Sequence, residues 1–201
     1  QTIGVAGLGL LGRGIAACCL AHGFRVVAFP RSERALREAR HYIDSAIGDL
    51  VDRAGFPQEL ETGWVDRFEG VHSFGSFSKC SFVIESVLED LDAKSKVFDE
   101  VESVIGPNVP IASNTSSIPI SQLQDGRANP ERFVGMHWAE PAHATRFLEL
   151  IRGEQTSETA FQAAADLAKQ FGKDPCLVQK DVPAFIVNRL SYAMYREAAH
   201  L

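Results

Sequence analysis

Apolar positions along this chain come in two alternating rhythms. Short, nearly unbroken apolar runs occur at TIGVAG (residues 2–7), FRVVAF (24–29), CSFVIESV (80–87), VPIASN (109–114), ERFVGMHW (131–138) and TRFLELI (145–151). Runs of this length bounded by turn residues read as buried strands. Between them lie segments with helical spacing: Leu10 to His22, Ser32 to about Val51, residues 90–105 and residues 157–171. Ser32 stands where an N-cap belongs, Gly106 and Pro107 stop the third helix, and Gly172 stops the fourth. The opening order of strand, glycine turn, helix, strand is the βαβ unit of a parallel sheet. The last two runs are close in sequence and predict a hairpin. Together the elements predict an α/β fold, a Rossmann-type doubly wound and mostly parallel sheet, over residues 1–182. The segment DVPAFIVNRLSYAMYREAAHL begins another helix, with Pro183 near its first turn, and its pattern runs to Leu201. Residues 183–201 are therefore expected to be the start of a truncated, helical C-terminal domain.

Composition narrows the class of function without choosing one. The 201 residues are 45% hydrophobic and 23% charged, the profile of a globular protein, and the formal net charge is −6. No Lys/Arg run stands out, which argues against nucleic acid or a membrane surface as partner. The four cysteines, Cys18, Cys19, Cys80 and Cys176, have no metal-ligand spacing and read as reduced, small apolar residues. That suits a cytoplasmic compartment and implies no metal. No apolar stretch is long enough to span a bilayer.

The chemistry begins at Gly7-Leu8-Gly9-Leu10-Leu11-Gly12, a G-x-G-x-x-G turn between strand and helix. The first glycine permits the turn, the second lets backbone approach a pyrophosphate, and the third lets helix pack on strand. With Leu10 and Leu11 opening the helix, phosphates would meet its N-terminal amides and dipole. A dinucleotide is implied. At the end of the second strand, where an acidic residue would bind the ribose hydroxyls, the chain has Pro30, followed by Arg31 and Ser32. A guanidinium beside a hydroxyl supplies donors to a 2′-phosphate, so the local chemistry leans to NADP. A solvated Arg31 with NAD bound in the absence of the carboxylate is the other reading.

Several segments in fixed order, GLGLLGRGIA, FVIESVLEDLDAK, ASNTSS, GMHWAEP, TRFLELI and DVPAFIVNRL, resemble the NAD-binding domain of the 3-hydroxyacyl-CoA dehydrogenases over nearly the whole chain. The resemblance implies NAD, a small-molecule substrate, fatty acid metabolism, and a homodimer formed through a following helical domain. It also implies His137 as catalytic base with Glu149 as its partner. An imidazole has a pKa suited to taking the hydroxyl proton as hydride leaves a secondary alcohol, and a carboxylate on its other nitrogen fixes the tautomer. By the same resemblance Ser116 hydrogen-bonds the substrate oxygen, Asn188 orients or polarises it, and Glu89 and Lys94 lie near the nicotinamide ribose. Each has a plainer reading: a turn serine, an exposed helix asparagine, an ion pair at i,i+5.

Three departures from the family pattern stand out. Glu140 stands where the family has asparagine, and a carboxylate there repels an anion. Ala184 replaces the family's glycine after proline. The helix region that carries CoA-contacting basic groups in the family here holds Arg40 and Arg53 among Asp44, Asp49 and Asp52. The expected function is hydride transfer between a nicotinamide cofactor and a 3-hydroxyacyl-CoA or related 3-hydroxy acid. An NADPH-dependent reductase of small keto acids or ketones, or a catalytically silent nucleotide-binding protein, are the alternatives.

Overall fold

A computed structural model describes every residue, Gln1–Leu201. Eight strands form one sheet: β1 (Thr2–Ala6), β2 (Arg25–Phe29), β3 (Phe68–Gly70), β4 (Phe82–Glu85), β5 (Ile111–Ser113), β6 (Phe133–Trp138), β7 (Phe147–Ile151) and β8 (Asp174–Val178). Their order is β3-β2-β1-β4-β5-β6-β7-β8. All pairings are parallel except β6 with β7, where His137 lies directly opposite Glu149. Strand order reverses between β1 and β4, which opens a crevice at the carboxyl ends of these strands. The doubly wound, mostly parallel sheet expected from the sequence is the fold observed.

Helices cover both faces. On one face lie α1 (Leu10–Ala21), α2 (Glu33–Ala54) and α6 (Glu158–Gln170) over a core that includes Ile3, Val5, Ile43, Trp138 and Leu148. On the other, α4 (Leu91–Glu102) and α5 (Ile120–Gln124) pack with Val83, Phe98, Phe133 and Phe185. Phe98 and Phe133 meet edge to face at 5.1 Å, both fully buried. Burying such a ring stabilises by roughly 1.5–3 kcal/mol. Ser32, Asp90 and Ser157 cap α2, α4 and α6 through side-chain oxygens that accept the amides of Ala35, Ala93 and Ala160. The short helix α3 (Leu60–Gly63) follows α2. No helix is long and apolar enough to cross a membrane.

Three features differ from the sequence expectation. Strands β3 and β8 were not foreseen: β3 has three residues, and β8 is a half-exposed edge strand containing Pro175, so neither has the apolar run of a central strand. The β6–β7 connection is longer than a tight hairpin, spanning residues 139–146. The last helix, α7 (Val187–Ala199), starts beyond Pro183, because Ala184 (φ 63°) and Phe185 (φ 49°) adopt the left-handed conformation, which a right-handed helix cannot contain. Ala184 thus does with an L side chain what glycine does without strain. Ala184→Gly should raise stability by about 0.5–1 kcal/mol, the relief of left-handed strain less glycine's larger chain entropy. Urea denaturation measures it, and an unchanged or lower midpoint would show the turn to be unstrained.

Candidate active site

The site grows from the carboxyl ends of the parallel strands. After β1, Gly7 has φ 102°, and a Cβ there would strike the Ser86 carbonyl; a Cβ on Gly12 would strike the Gly7 carbonyl. Gly9 has no protein atom within 4 Å of such a Cβ. The first and third glycines therefore close the turn against β4 and β1, and the second faces open space. No side chain caps α1. Its first intrahelical bond is Arg13 N–H to the Gly9 carbonyl, so the Leu10, Leu11 and Gly12 amides have no intrahelical acceptor. An uncapped helix start beside a glycine with room above it suits a pyrophosphate. The exposed Leu10 and half-buried Leu11 flank it. After β2, Arg31 projects to solvent, and Ser32 uses its oxygen to accept the Ala35 amide.

The predicted catalytic pair meets on β6 and β7. His137 Nδ1 lies 2.7 Å from Glu149 Oε2. Both side chains point to the face that also holds Phe185, whose ring centroid is 5.7 Å from that of His137. Glu149 is fully buried, and its second oxygen, Oε1, accepts the amides of Ile186 and Val187, each at 2.9 Å, where α7 begins. Burial alone would raise the Glu149 pKa. The His137 hydrogen bond and the two amides outweigh it and hold the carboxyl below its usual value of 4.5. An ionised Glu149 accepts from Nδ1–H, which leaves the lone pair of the imidazole on Nε2, where no protein group hydrogen-bonds it.

The loop after β5 is held by one carboxylate. Glu89 Oε1 accepts from Thr115 Oγ1 (2.6 Å), the Ser116 amide (2.8 Å), the Ser117 amide (2.9 Å) and Ser117 Oγ (3.1 Å). Burial opposes ionisation of Glu89, but these donors and Lys94 keep its pKa lowered. The buried Lys94 ammonium lies 3.3 Å from Glu89 and donates to Glu85 Oε1 at 2.8 Å. Asn188 on α7 donates through Nδ2 to the Ser116 carbonyl at 3.0 Å. Lys94 pairs with Glu89, Glu89 accepts the Ser116 amide, and Asn188, bonded to the Ser116 carbonyl, directly follows Val187, whose amide goes to the Glu149 that meets His137. Arg31 and Ser32 stand apart at the end of β2.

Three contributors escaped sequence reasoning. Glu85, fully buried, takes Lys94, Ser113 Oγ (2.6 Å) and the Val87 amide (2.6 Å). A carboxylate ending the apolar run FVIE, with a lysine nine residues on, was the available signal. Asn114 donates to Ser86 Oγ (3.1 Å) and accepts the Trp138 amide (2.9 Å), tying the ends of β4, β5 and β6 together. Lys173 donates to the Ala142 and Thr145 carbonyls, both at 2.6 Å, and fixes the loop between β6 and β7.

Residues 2–182 match the family model described as 3-hydroxyacyl-CoA dehydrogenase, NAD binding domain. The chain is 36% identical over 202 residues to a 5-formyl-3-hydroxy-2-methylpyridine 4-carboxylate 5-dehydrogenase of Mesorhizobium japonicum, covering 100% of this chain and 64% of that protein. It is 34% identical over 200 residues to a 3-hydroxybutyryl-CoA dehydrogenase of Bradyrhizobium diazoefficiens, covering 100% of this chain and 68% of that protein. The crystal structure of (S)-3-hydroxybutyryl-CoA dehydrogenase from Ralstonia eutropha superimposes with a TM-score of 0.93 at 36% identity, covering 98% of this chain and 70% of that one. The chain therefore spans about two thirds of the length of these relatives.

Two outcomes follow from the geometry. A Cβ at Gly9 would enter the space above the uncapped helix start and meet no protein atom within 4 Å, so Gly9→Val should stay folded and lose dinucleotide binding; calorimetry giving wild-type affinity would count against the turn as the phosphate site. Glu149 has a folded pKa below its unfolded value, so its contribution is present above pH 4.5 and is lost as pH falls through the folded value. Unfolding free energy should decline below about pH 4.5, and less steeply in Glu149→Gln; parallel pH profiles for the two proteins would contradict the shift.

Proposed function

The chain belongs to the 3-hydroxyacyl-CoA dehydrogenase family, as its NAD-binding domain, and from that premise we propose that it carries the catalytic half of an NAD-dependent oxidoreductase acting on the CH–OH group of a 3-hydroxyacyl-CoA or related 3-hydroxy acid. The observation that carries the reading is the His137–Glu149 pair at 2.7 Å, with Nε2 of the imidazole unspent. NAD is the cofactor of the family model, and it supplies the acceptor for the hydride that leaves the carbinol carbon. The turn at Gly7, Gly9 and Gly12 and the amides of Leu10 and Leu11 would hold its pyrophosphate. The case for NADP rests only on the local chemistry of Arg31 and Ser32, and the family description points the other way.

In this reading His137 Nε2 takes the hydroxyl proton as the C–H bond breaks, and the substrate leaves as the 3-oxo compound. Glu149, a positioning residue, keeps Nδ1 protonated and stabilises the imidazolium formed. Ser116 and Asn188 orient the substrate oxygen, and Glu89 and Lys94 keep the Ser116 loop in place beside the nicotinamide ribose. Residues 183–201 open a helical domain that completes the substrate site and forms the homodimer. α7 buries none of its residues and exposes Leu190, Tyr192, Met194 and Tyr195, an apolar surface such a domain would cover. A catalytically silent nucleotide binder would have no use for a buried carboxylate held against an imidazole.

General-base catalysis supplies about 10²–10⁴-fold. His137→Gln in the full-length protein should lower kcat by that order while NADH affinity stays near wild type. Steady-state kinetics with acetoacetyl-CoA and NADH, with cofactor titration alongside, checks this. An unchanged kcat would remove His137 from the mechanism.

A further inference from the structure

His137 stands on a part of β6 that its inner neighbour does not reach. The parallel ladder between β5 and β6 runs from Ile111–Phe133 to Ser113–Gly135 and stops there. β6 continues to Trp138, and β7 pairs with it from Gly135 to Trp138. Met136, His137 and Trp138 therefore have a strand partner on the β7 side only. Backbone amides along a strand point alternately to its two sides. A Trp138 N–H directed to the β5 side leaves that of His137 directed to β7, so the tie on the inner side falls to Trp138.

Asn114, the first residue past β5, supplies that tie. Its Oδ1 accepts the Trp138 amide at 2.9 Å. A backbone amide only donates, so the side-chain oxygen faces Trp138 and the nitrogen is left for another acceptor. Nδ2 donates to Ser86 Oγ at 3.1 Å, and the Asn114 backbone amide donates to the Glu85 carbonyl at 2.8 Å. Asn114 is thus anchored twice to the end of β4. Ser86 in turn lies against the glycine turn: a Cβ on Gly7 would strike the Ser86 carbonyl, and one on Gly12 would lie 3.6 Å from Ser86 Cβ. One half-buried side chain links the turn suited to a pyrophosphate to the residue next to the imidazole. The bonds that Glu89 makes do not duplicate this link, because they hold Thr115, Ser116 and Ser117 and none of them reaches β6.

We propose that Asn114 is a positioning residue for hydride transfer, one that sets the place of His137 relative to the glycine turn. The inference rests on the reaction assigned above. Proton and hydride leave the same CH–OH group, so the base and the cofactor site must stay in register. A displacement of about 1 Å can cost ~10²-fold in rate. Glu149 decides which nitrogen of the imidazole carries the proton, and Asn114 decides where that imidazole stands.

The test uses the full-length protein with NADH and acetoacetyl-CoA. Asn114→Ala should lower kcat by about ten- to a hundredfold, with the KM for acetoacetyl-CoA and the NADH dissociation constant within about twofold of wild type. Asn114→Asp keeps an acceptor for the Trp138 amide and an oxygen to which Ser86 can donate, so it should recover kcat to within about fivefold of wild type. In a His137→Gln background, Asn114→Ala should cost almost nothing more, because both changes remove the same contribution. Hydrogen exchange at the Trp138 amide should quicken in Asn114→Ala and not in Asn114→Asp, while the amides of β1 stay protected in both. Four results would each overturn the inference and leave the reaction standing: wild-type kcat in Asn114→Ala, an equal fall in kcat and NADH affinity, Asn114→Asp as slow as Asn114→Ala, or a full further loss in the His137→Gln background. An unchanged kcat in His137→Gln alone would overturn the reaction, and the inference with it.

Discussion

The site depends on how one buried carboxylate is shared. Glu149 is fully enclosed, and an ion in that position is costly unless every lone pair is used. One oxygen takes the imidazole of His137, and the other takes the two amides at the start of α7. The helix supplies the donors that keep the carboxylate charged, and the charged carboxylate fixes the proton on the imidazole. Neither end can be altered without disturbing the other. The chain between them turns sharply through the left-handed Ala184 and Phe185, which is what lets α7 present its first amides to β7.

The same solution recurs around the crevice. Glu89 gathers the donors of the Ser116 loop, Glu85 takes Lys94 and Ser113, and Asn114 links the ends of three strands. Buried polar groups of this kind are stable only when satisfied together, so they rigidify the strand ends as a unit. Rigid strand ends keep catalytic groups in register, and general acid–base catalysis needs that. The glycine turn works by the opposite means: it leaves amides unspent and space unfilled, as a site for an external anion requires.

The sequence carried much of this because central parallel strands are written as apolar runs and because the family resemblance marked His137 and Glu149 on two runs that pair antiparallel. Twelve residues apart, they fall opposite one another once β6 and β7 align. The other half of the Glu149 arrangement was not legible. Its amide donors depend on left-handed backbone at Ala184 and Phe185, and Pro183 pointed to an earlier helix start. Glu85 was hidden for a related reason: a polar residue at the end of an apolar run looks like the strand's exit to solvent, and its burial arises from Lys94 and Ser113 on other elements. Glu89 and Lys94 carried both an ion-pair reading and a cofactor reading. The ion pair is present at 3.3 Å, and the same carboxylate also secures the serine loop.

The central claim is that Glu149 fixes His137 with the proton on Nδ1 and the lone pair on Nε2. Nitrogen-15 NMR of the imidazole reads this directly at a pH where the ring is neutral. The account predicts the Nδ1–H form in the wild-type protein, with a slowly exchanging proton, and loss of that preference in Glu149→Ala. An Nε2–H form in the wild-type protein, or a tautomer unaffected by removal of the carboxylate, would contradict it.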